Sequence, residues 1–385
     1  MSARGEKAGP LAGLRILEVG HILAGPYSTM LLADLGAEVI KIESDTGDLA
    51  RQVGPHAVGA HNVYFASLNR NKKSVQLDLF TPAGRERLGE LARTSDALLV
   101  NMKASTIQAL GLTYESFRRY NEKLVCVALT GYGLEGPGDD DPAFDYLIQA
   151  STGIAAMTGQ PDGPPALAGY SAVDNSSGIV AALGLLAKIV EGRGGQVDVA
   201  LYYVMLSQLN YKAAAYLNAG QEPRRLPMGA HPYYVPAQLF RTLDGTIGLF
   251  VSHDRFFTLL AEEVGRGHWA TDPRFATMDA RAKNREALLA ELSAVFASRP
   301  TQEWVERLKR LKIPVSAVRS LAEALDDPVT LGRGTVVELE TESGTIRAVG
   351  SPIRIPGFEP TYTRPPLLGE HTSEVLLSAK PRDGR

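Results

Sequence analysis

A single cysteine, Cys126, stands among the 385 residues. No disulfide can close within the chain, and the count fits a reducing, cytoplasmic setting. Neither sign of charge is in excess, the formal net charge being −3. A nucleic-acid binder needs a clear surplus of Lys and Arg, so that class is set aside; a local basic cluster can still hold a small phosphorylated ligand. Apolar stretches fall well short of the ~20 residues a membrane span needs, and no membrane partner is expected. Met1 to Pro10 are polar and no apolar segment follows, so no secretory leader is expected. What is present is an ordinary globular composition, 44% hydrophobic and 22% charged, with length for two domains. Cys126 lies in the apolar run Leu124 to Leu129 and reads as a small filler of a buried strand rather than a nucleophile.

The N-terminal half alternates strand and helix patterns. Leu14 to Val19 reads as a strand, Pro26 to Leu35 as a helix opened by proline and closed by Gly36, and Ala37 to Ile42 as the next strand. Such a βαβ unit implies a parallel sheet with right-handed crossovers. Lys73 to Leu79, Ala97 to Val100 and Leu124 to Leu129 continue the strand series, with a helix over Pro82 to Thr94. Ligands of such sheets sit beyond the carboxyl ends of the strands, which directs attention to the loops His21–Pro26, Leu77–Phe80, Asn101–Ser105 and Thr130–Asp145. Ser176 to Ile189 is small and apolar, a helix suited to close packing. The texture changes near Asn210 and again near Asp327. Between them lie Pro-rich connections, a hairpin over Leu239 to Val251 with its turn at Asp244-Gly245, and charged helices. The expected fold class is α/β with a parallel sheet, and the stretch from about Asn210 to Asp327 reads as a second, smaller domain.

Three places carry chemistry. The loop Gly20 to Pro26 lacks the glycine register of a dinucleotide fingerprint, although Glu43 ends the second strand as such a site requires. Asn69-Arg70-Asn71-Lys72-Lys73-Ser74 gathers three cations before a strand; they are candidate phosphate partners, or simply a solvated loop. Asp174 is the only acid between Asp162 and Glu191 and precedes the small-residue helix. On spacing alone it reads as a helix cap.

Taken together these segments resemble the family III CoA-transferases (the CaiB/BaiF family), which include formyl-CoA transferase, carnitine CoA-transferase and the α-methylacyl-CoA racemases. The resemblance covers nearly the whole chain. It runs from Pro10-Leu11-Ala12-Gly13-Leu14-Arg15-Ile16-Leu17 through Ala24-Gly25-Pro26, Leu35 to Glu43, Asn69 to Ser74, Thr130-Gly131-Tyr132-Gly133 and Gly136-Pro137. Gly192 to Val199 and Pro366-Leu367-Leu368-Gly369-Glu370-His371-Thr372 complete it. No piece is specific alone; their order and spacing are.

The resemblance implies that Asp174 is a nucleophile that forms a mixed anhydride with an acyl-CoA and then an aspartyl-CoA thioester. An unperturbed aspartate, of pKa about 3.9, would need no general base, and backbone amides would stabilise the oxyanions. The resemblance also places coenzyme A, as substrate rather than tightly bound cofactor, along Leu23 and Ala24, along Leu77, Asp78, Leu79 and Phe80, along Asn101, Met102 and Lys103, and along Ala143, Phe144 and Asp145. Arg70, Lys72 and Lys73 are its candidate phosphate partners. Where relatives often carry arginine this chain has Ala109. No metal is implied. Racemases of the family use a histidine thirty positions before the aspartate, and here that position is Phe144, followed by Asp145. Two-base proton exchange is therefore disfavoured against transfer, with a racemase using another base and a non-catalytic acyl-CoA-binding paralogue kept as alternatives. Asp145 either orients Asp174, contacts the ligand or caps a helix. A glycine loop like that of formyl-CoA transferase is absent between Arg224 and Phe240. Formyl and oxalate are thus doubtful substrates, and Tyr233, Tyr234, His231 and His253 are candidates to line a larger acyl pocket. The resemblance implies a Rossmann-like large domain with a parallel sheet built from both chain ends, over residues 1–209 and a return segment over 328–385, a smaller α+β domain inserted over 210–327, and an interlocked homodimer.

Overall fold

The computed structural model describes residues 9–378 apart from Pro137 and Asp139, so part of the Gly136-Pro137 motif lies outside the described residues. The chain divides into two compact units. One comprises residues 1–152, 168–217 and 328–385, the other 153–167 and 218–327.

The first unit is built on six parallel strands: β1 (Arg15–Gly20), β2 (Glu38–Glu43), β3 (Lys72–Gln76), β4 (Ala97–Asn101), β5 (Val125–Thr130) and β6 (Gly195–Ala200). Their order, β3-β2-β1-β4-β5-β6, reverses direction between β1 and β4. Helices α1 (Ala24–Asp34), α2 (Val63–Asn69), α3 (Pro82–Ala92), α4 (Asp145–Ser151), α5 (Ala172–Glu191) and α6 (Leu201–Gln208) accompany them. Leu17, Ile40, Leu98 and Cys126 form the buried apolar heart of the sheet. Burial pushes the Cys126 thiol up, as suits an inert filler. Gly36, at φ 97°, supplies the left-handed residue that ends α1.

Three expectations need correction. β3 ends at Gln76 rather than Leu79. Leu77 N still donates to Glu43 O of β2 (2.8 Å), a last rung, and beyond it Leu79 is buried without pairing, so there the apolar alternation reported burial rather than strand. α5 begins four residues earlier than its apolar run. Gly178 lets it approach α1 closely, since a Cβ there would stand 2.7 Å from the Ala24 carbonyl oxygen. Among the described helices α5 alone is long and apolar enough to cross a membrane; in the fold it packs on α1. The sheet, finally, takes no strand from the C-terminal end.

The return segment instead adds the hairpin Val336–Thr341/Gly344–Val349, packed on α2 through Leu339, Ile346 and Ala66. It also closes the open edge of β3. His371 N donates to Ser74 O (2.9 Å), Ser74 N to His371 Nδ1 (3.3 Å), and Gln76 N to Thr372 Oγ1 (3.0 Å). The Pro366–Thr372 motif is therefore an edge seal.

The second unit folds around a three-stranded antiparallel sheet, Ala237–Arg241, Thr246–Phe250 and Val315–Ala317, with the expected turn at 242–245. Its core is aromatic, centred on Trp269, Trp304, Phe240 and Phe296. Residues 153–167 belong to it because Arg225 Nη1 donates to Gly163 O (2.5 Å) and Met228 N to Gln160 Oε1 (3.1 Å). Residues 210–217 stay with the first unit.

Candidate active site

Parallel strands bring the loops after β1, β3, β4 and β5 to one edge of the sheet, and the reversal between β1 and β4 opens a crevice there. Asn101, ending β4, spans that crevice: its Oδ1 accepts from Gly25 N (3.2 Å) and its Nδ2 donates to Leu129 O (3.0 Å). Gly25 is required, because a Cβ would lie 2.7 Å from that of Asn101. In the first loop Ile22 has φ 67°, a costly left-handed conformation for a β-branched residue. Asp48 holds it there by accepting from Ile22 N (2.9 Å). The strain leaves Leu23 half-exposed at the start of α1, with Ala24 buried behind it. Asp78, Phe80 and Lys103 are exposed at the same edge and Met102 is half-buried.

The cations of the 70–73 segment are differently employed. Arg70 is buried, its Nε and Nη2 donating to the two Asp34 carboxylate oxygens (2.9 and 2.6 Å) and Nη1 to Val349 O (2.9 Å). Lys72 Nζ is enclosed by Glu18 Oε2 (2.8 Å), Pro26 O (2.8 Å) and Asn69 Oδ1 (2.9 Å). Lys73, partly exposed, pairs with Glu38 and Glu374. The reading of Arg70 and Lys72 as phosphate partners is thus corrected: the fold surrounds both with its own acceptors. Glu43 likewise pairs with Arg51 (2.7 Å) and accepts from Ser74 Oγ (2.6 Å), which removes the acid a dinucleotide site would need.

Beneath the first loop these contacts merge into one buried network. Glu18 accepts from Lys41 Nζ (2.6 Å), Lys72 and Thr29 Oγ1 (2.5 Å), and Lys41 also pairs with Asp48 (2.8 Å). Burial alone would raise the Glu18 pKa, but Lys41 and Lys72 outweigh it and hold the carboxyl low. Burial pushes Lys72 down to about 8, still protonated at neutral pH. His21, 3.8 Å from Asp48, is kept neutral chiefly by burial.

Asp174 has the opposite surroundings. It occupies the third position of α5, not the cap. The cap comes from Asp145, at the start of α4, whose Oδ2 accepts from Val173 N (2.8 Å) and Asp174 N (3.2 Å). Gln149 steadies Asp145: its Nε2 donates to Oδ1 (2.5 Å) while its Oε1 accepts from Ala168 N (2.8 Å). Asp145 is thus a helix cap, though for a helix distant in sequence. Among the described residues nothing donates to the Asp174 carboxylate. Burial, with the Asp145 charge second, raises it to about 7, so the expectation of an ordinary aspartate is corrected. The first amides of α5 are engaged too, Ala172 N by Tyr170 O and Asn175 N by Ser171 O, so they are not free oxyanion donors.

Phe144, before Asp145, is 70% exposed and supplies no acid–base group, and Ala143 is half-buried beside it. Sequence reasoning missed Tyr64 and Asn175. Both line a cleft of about 740 Å³, and the Tyr64 phenol is close enough to Asp174 for that charge to help raise its pKa, after burial. No local motif announces either. In the second unit His231 Nδ1 accepts from Tyr233 N and Tyr234 N, while His253 caps the helix Asp254–Glu263 and stacks on Phe256. Among the described residues no group of three or more His, Cys, Asp or Glu could hold a metal ion.

The profile of CoA-transferase family III matches residues 11–372. The chain is 35% identical to the succinate–glutarate CoA-transferase of Agrobacterium fabrum, over 95% of each protein. It is 33% identical to the acetyl-CoA:oxalate CoA-transferase of Acetobacter aceti, over 94% of each. Its structure resembles a CaiB/BaiF family protein from Brucella suis, with TM-score 0.85 at 31% identity, covering 97% of this chain and all of that one. The chain belongs to CoA-transferase family III and is a CoA-transferase.

Proposed function

We propose that Asp174 carries the acyl group. The observation behind this reading is a part-buried carboxylate left without a donor, beside an open cleft, on a helix start fixed by Asp145. A structural acid would have partners, as Glu18 does. An Asp174 oxygen attacks the donor thioester carbonyl, the C–S bond breaks, and CoA leaves as thiolate. The thiolate attacks the aspartyl carbonyl of the mixed anhydride and releases the donor acid. The acceptor carboxylate attacks the aspartyl thioester, expelling thiolate and forming a second anhydride. Thiolate then attacks the acceptor's acyl carbon, giving the new thioester and restoring Asp174. No net proton moves. Asn175, whose side-chain amide has no partner among the described residues, stands in the same cleft and supplies an N–H to the oxyanion.

CoA lies along Leu23, Asn101, Lys103, the Leu77–Phe80 loop and the Ala143–Phe144 segment, with exposed Phe80 and Phe144 offering apolar faces. Relatives are named for succinate, glutarate and oxalate. The acids handled here are dicarboxylates, and the missing glycine loop favours the longer ones. The protein works in the cytoplasm as an interlocked homodimer, which the exposed Ile179, Leu183 and Val190 of α5 support. A monomer in sedimentation equilibrium would refute the dimer. The mechanism is tested by mass-spectrometric assay of CoA exchange: Asp174→Ala should abolish it with every acid, and hydroxylamine should trap an adduct at Asp174 in the unaltered enzyme. Full exchange in the variant would sink the reading.

A further inference from the structure

The cleft beside Asp174 has two kinds of wall. One is apolar and comes from α1 and α2, with Met30, Leu31 and Leu68 among its residues. The other comes from the return segment and is basic, carrying Arg333, Arg347 and Arg354. Among the described residues no carboxylate lines the cleft. Arg333 and Arg347 have no ion pair among the described residues. Arg354 makes only a loose pair with Glu359 (3.7 Å) and donates to the Arg333 carbonyl. The fourth arginine, Arg70, is neutralised by Asp34 and plays another part: by donating to Val349 O it ties the strand that carries Arg347 to the end of α2. Three arginines on one wall of an open cleft, against Glu359 beside Arg354 and Glu338 across the hairpin from Arg347, leave a local positive potential that the overall charge of the chain does not reveal. Asp174 does not itself line the cleft, but its neighbour Asn175 does, as does Tyr64, whose phenol feels the Asp174 charge.

We propose that this cleft is the acyl subsite and that Arg333, Arg347 and Arg354 bind the distal, non-reacting carboxylate of a dicarboxylic acid. The apolar wall takes the methylene chain, the guanidinium forks take the far carboxylate, and the near carboxyl meets Asp174. This rests on Asp174 being the acyl carrier. A phosphate of CoA is the other anion that the same forks would accept.

The test is an acceptor screen with succinyl-CoA as donor and mono- and dicarboxylic acids of two to six carbons, read by mass spectrometry. Acceptors with a second carboxylate should dominate, and a preference for monocarboxylates overturns the proposal. The three arginines are exposed, so Arg333→Gln, Arg347→Gln and Arg354→Gln should fold. For the best acceptor each should raise KM about tenfold with kcat little changed, and the triple variant more, while calorimetric affinity for free CoA stays the same. Weakened CoA binding assigns the arginines to a CoA phosphate and overturns the proposal, as does an unchanged KM. Asp174→Ala separates the two readings. If it still exchanges CoA, the carrier assignment fails; if it is dead and the arginine variants leave KM alone, only the subsite fails.

Discussion

Glu18 and Asp174 are acids of the same unit with opposite company. Glu18, wholly buried, is clasped by Lys41, Lys72 and Thr29 and its pKa is held down. Asp174, less buried, has only another acid for a charged neighbour and is raised to about 7. The arginines and lysines repeat the contrast. Arg70 and Lys72 are conspicuous in the sequence and internally paired, whereas Arg333, Arg347 and Arg354 are scattered along it and face an open cleft. Pairing marks structure, and its lack marks chemistry.

The contrast can be broken from the structural side first. Lys72→Met should cost about 3–5 kcal/mol in urea denaturation, because it strands a buried carboxylate among too few cations. A loss below 1 kcal/mol would mean that Glu18 is not held by that pair. Next comes Asp174→Asn, which should stabilise the fold. A carboxyl whose folded pKa is about 7, above its unfolded value, favours folding fully only when protonated, and that contribution fades as pH rises from about 4 through 7. The variant should therefore gain about 1–3 kcal/mol at pH 8, discounted for its partial exposure, and nothing below pH 4. Equal gains at both pH values would contradict the assigned surroundings.

Activity gives a smaller effect. The ionised carboxylate is the attacking form, so kcat/KM should rise with pH through about 7. Asp145→Asn should move that midpoint downward by removing the like charge, while lowering the rate because α5 loses its cap. A midpoint that stays put in Asp145→Asn would remove Asp145 from the account. Smallest of all, Lys73→Ala breaks only two partly exposed pairs, with Glu38 and Glu374, and should change stability by less than about 1 kcal/mol.

Much of the frame was legible from residue order. Apolar periodicity with Pro26 and Gly36 outlined the first βαβ unit, and the small residues around Gly178 announced a close helix contact. Failures came where a partner lies far along the chain. Asp174 looked like a cap because the true one, Asp145, is 29 residues away. Arg70 looked free because Asp34 is 36 residues away and Val349 is 279. Leu79 kept a strand's alternation where only burial persisted. The basic wall of the cleft left no local signal, since its three arginines lie in separate stretches of the return segment.

The seal on β3 bears on handling as well as folding. His371 and Thr372 satisfy backbone groups that a parallel edge strand would otherwise show to its surroundings, and Gly369 N adds a bond to the Ser74 hydroxyl. A chain shortened before Pro366 would keep its Asp174 helix and its cleft, yet carry a bare strand ready to pair with another molecule. Such a truncation should reveal itself as aggregation on concentration before any loss of turnover per folded molecule, making the last motif of the chain a determinant of solubility.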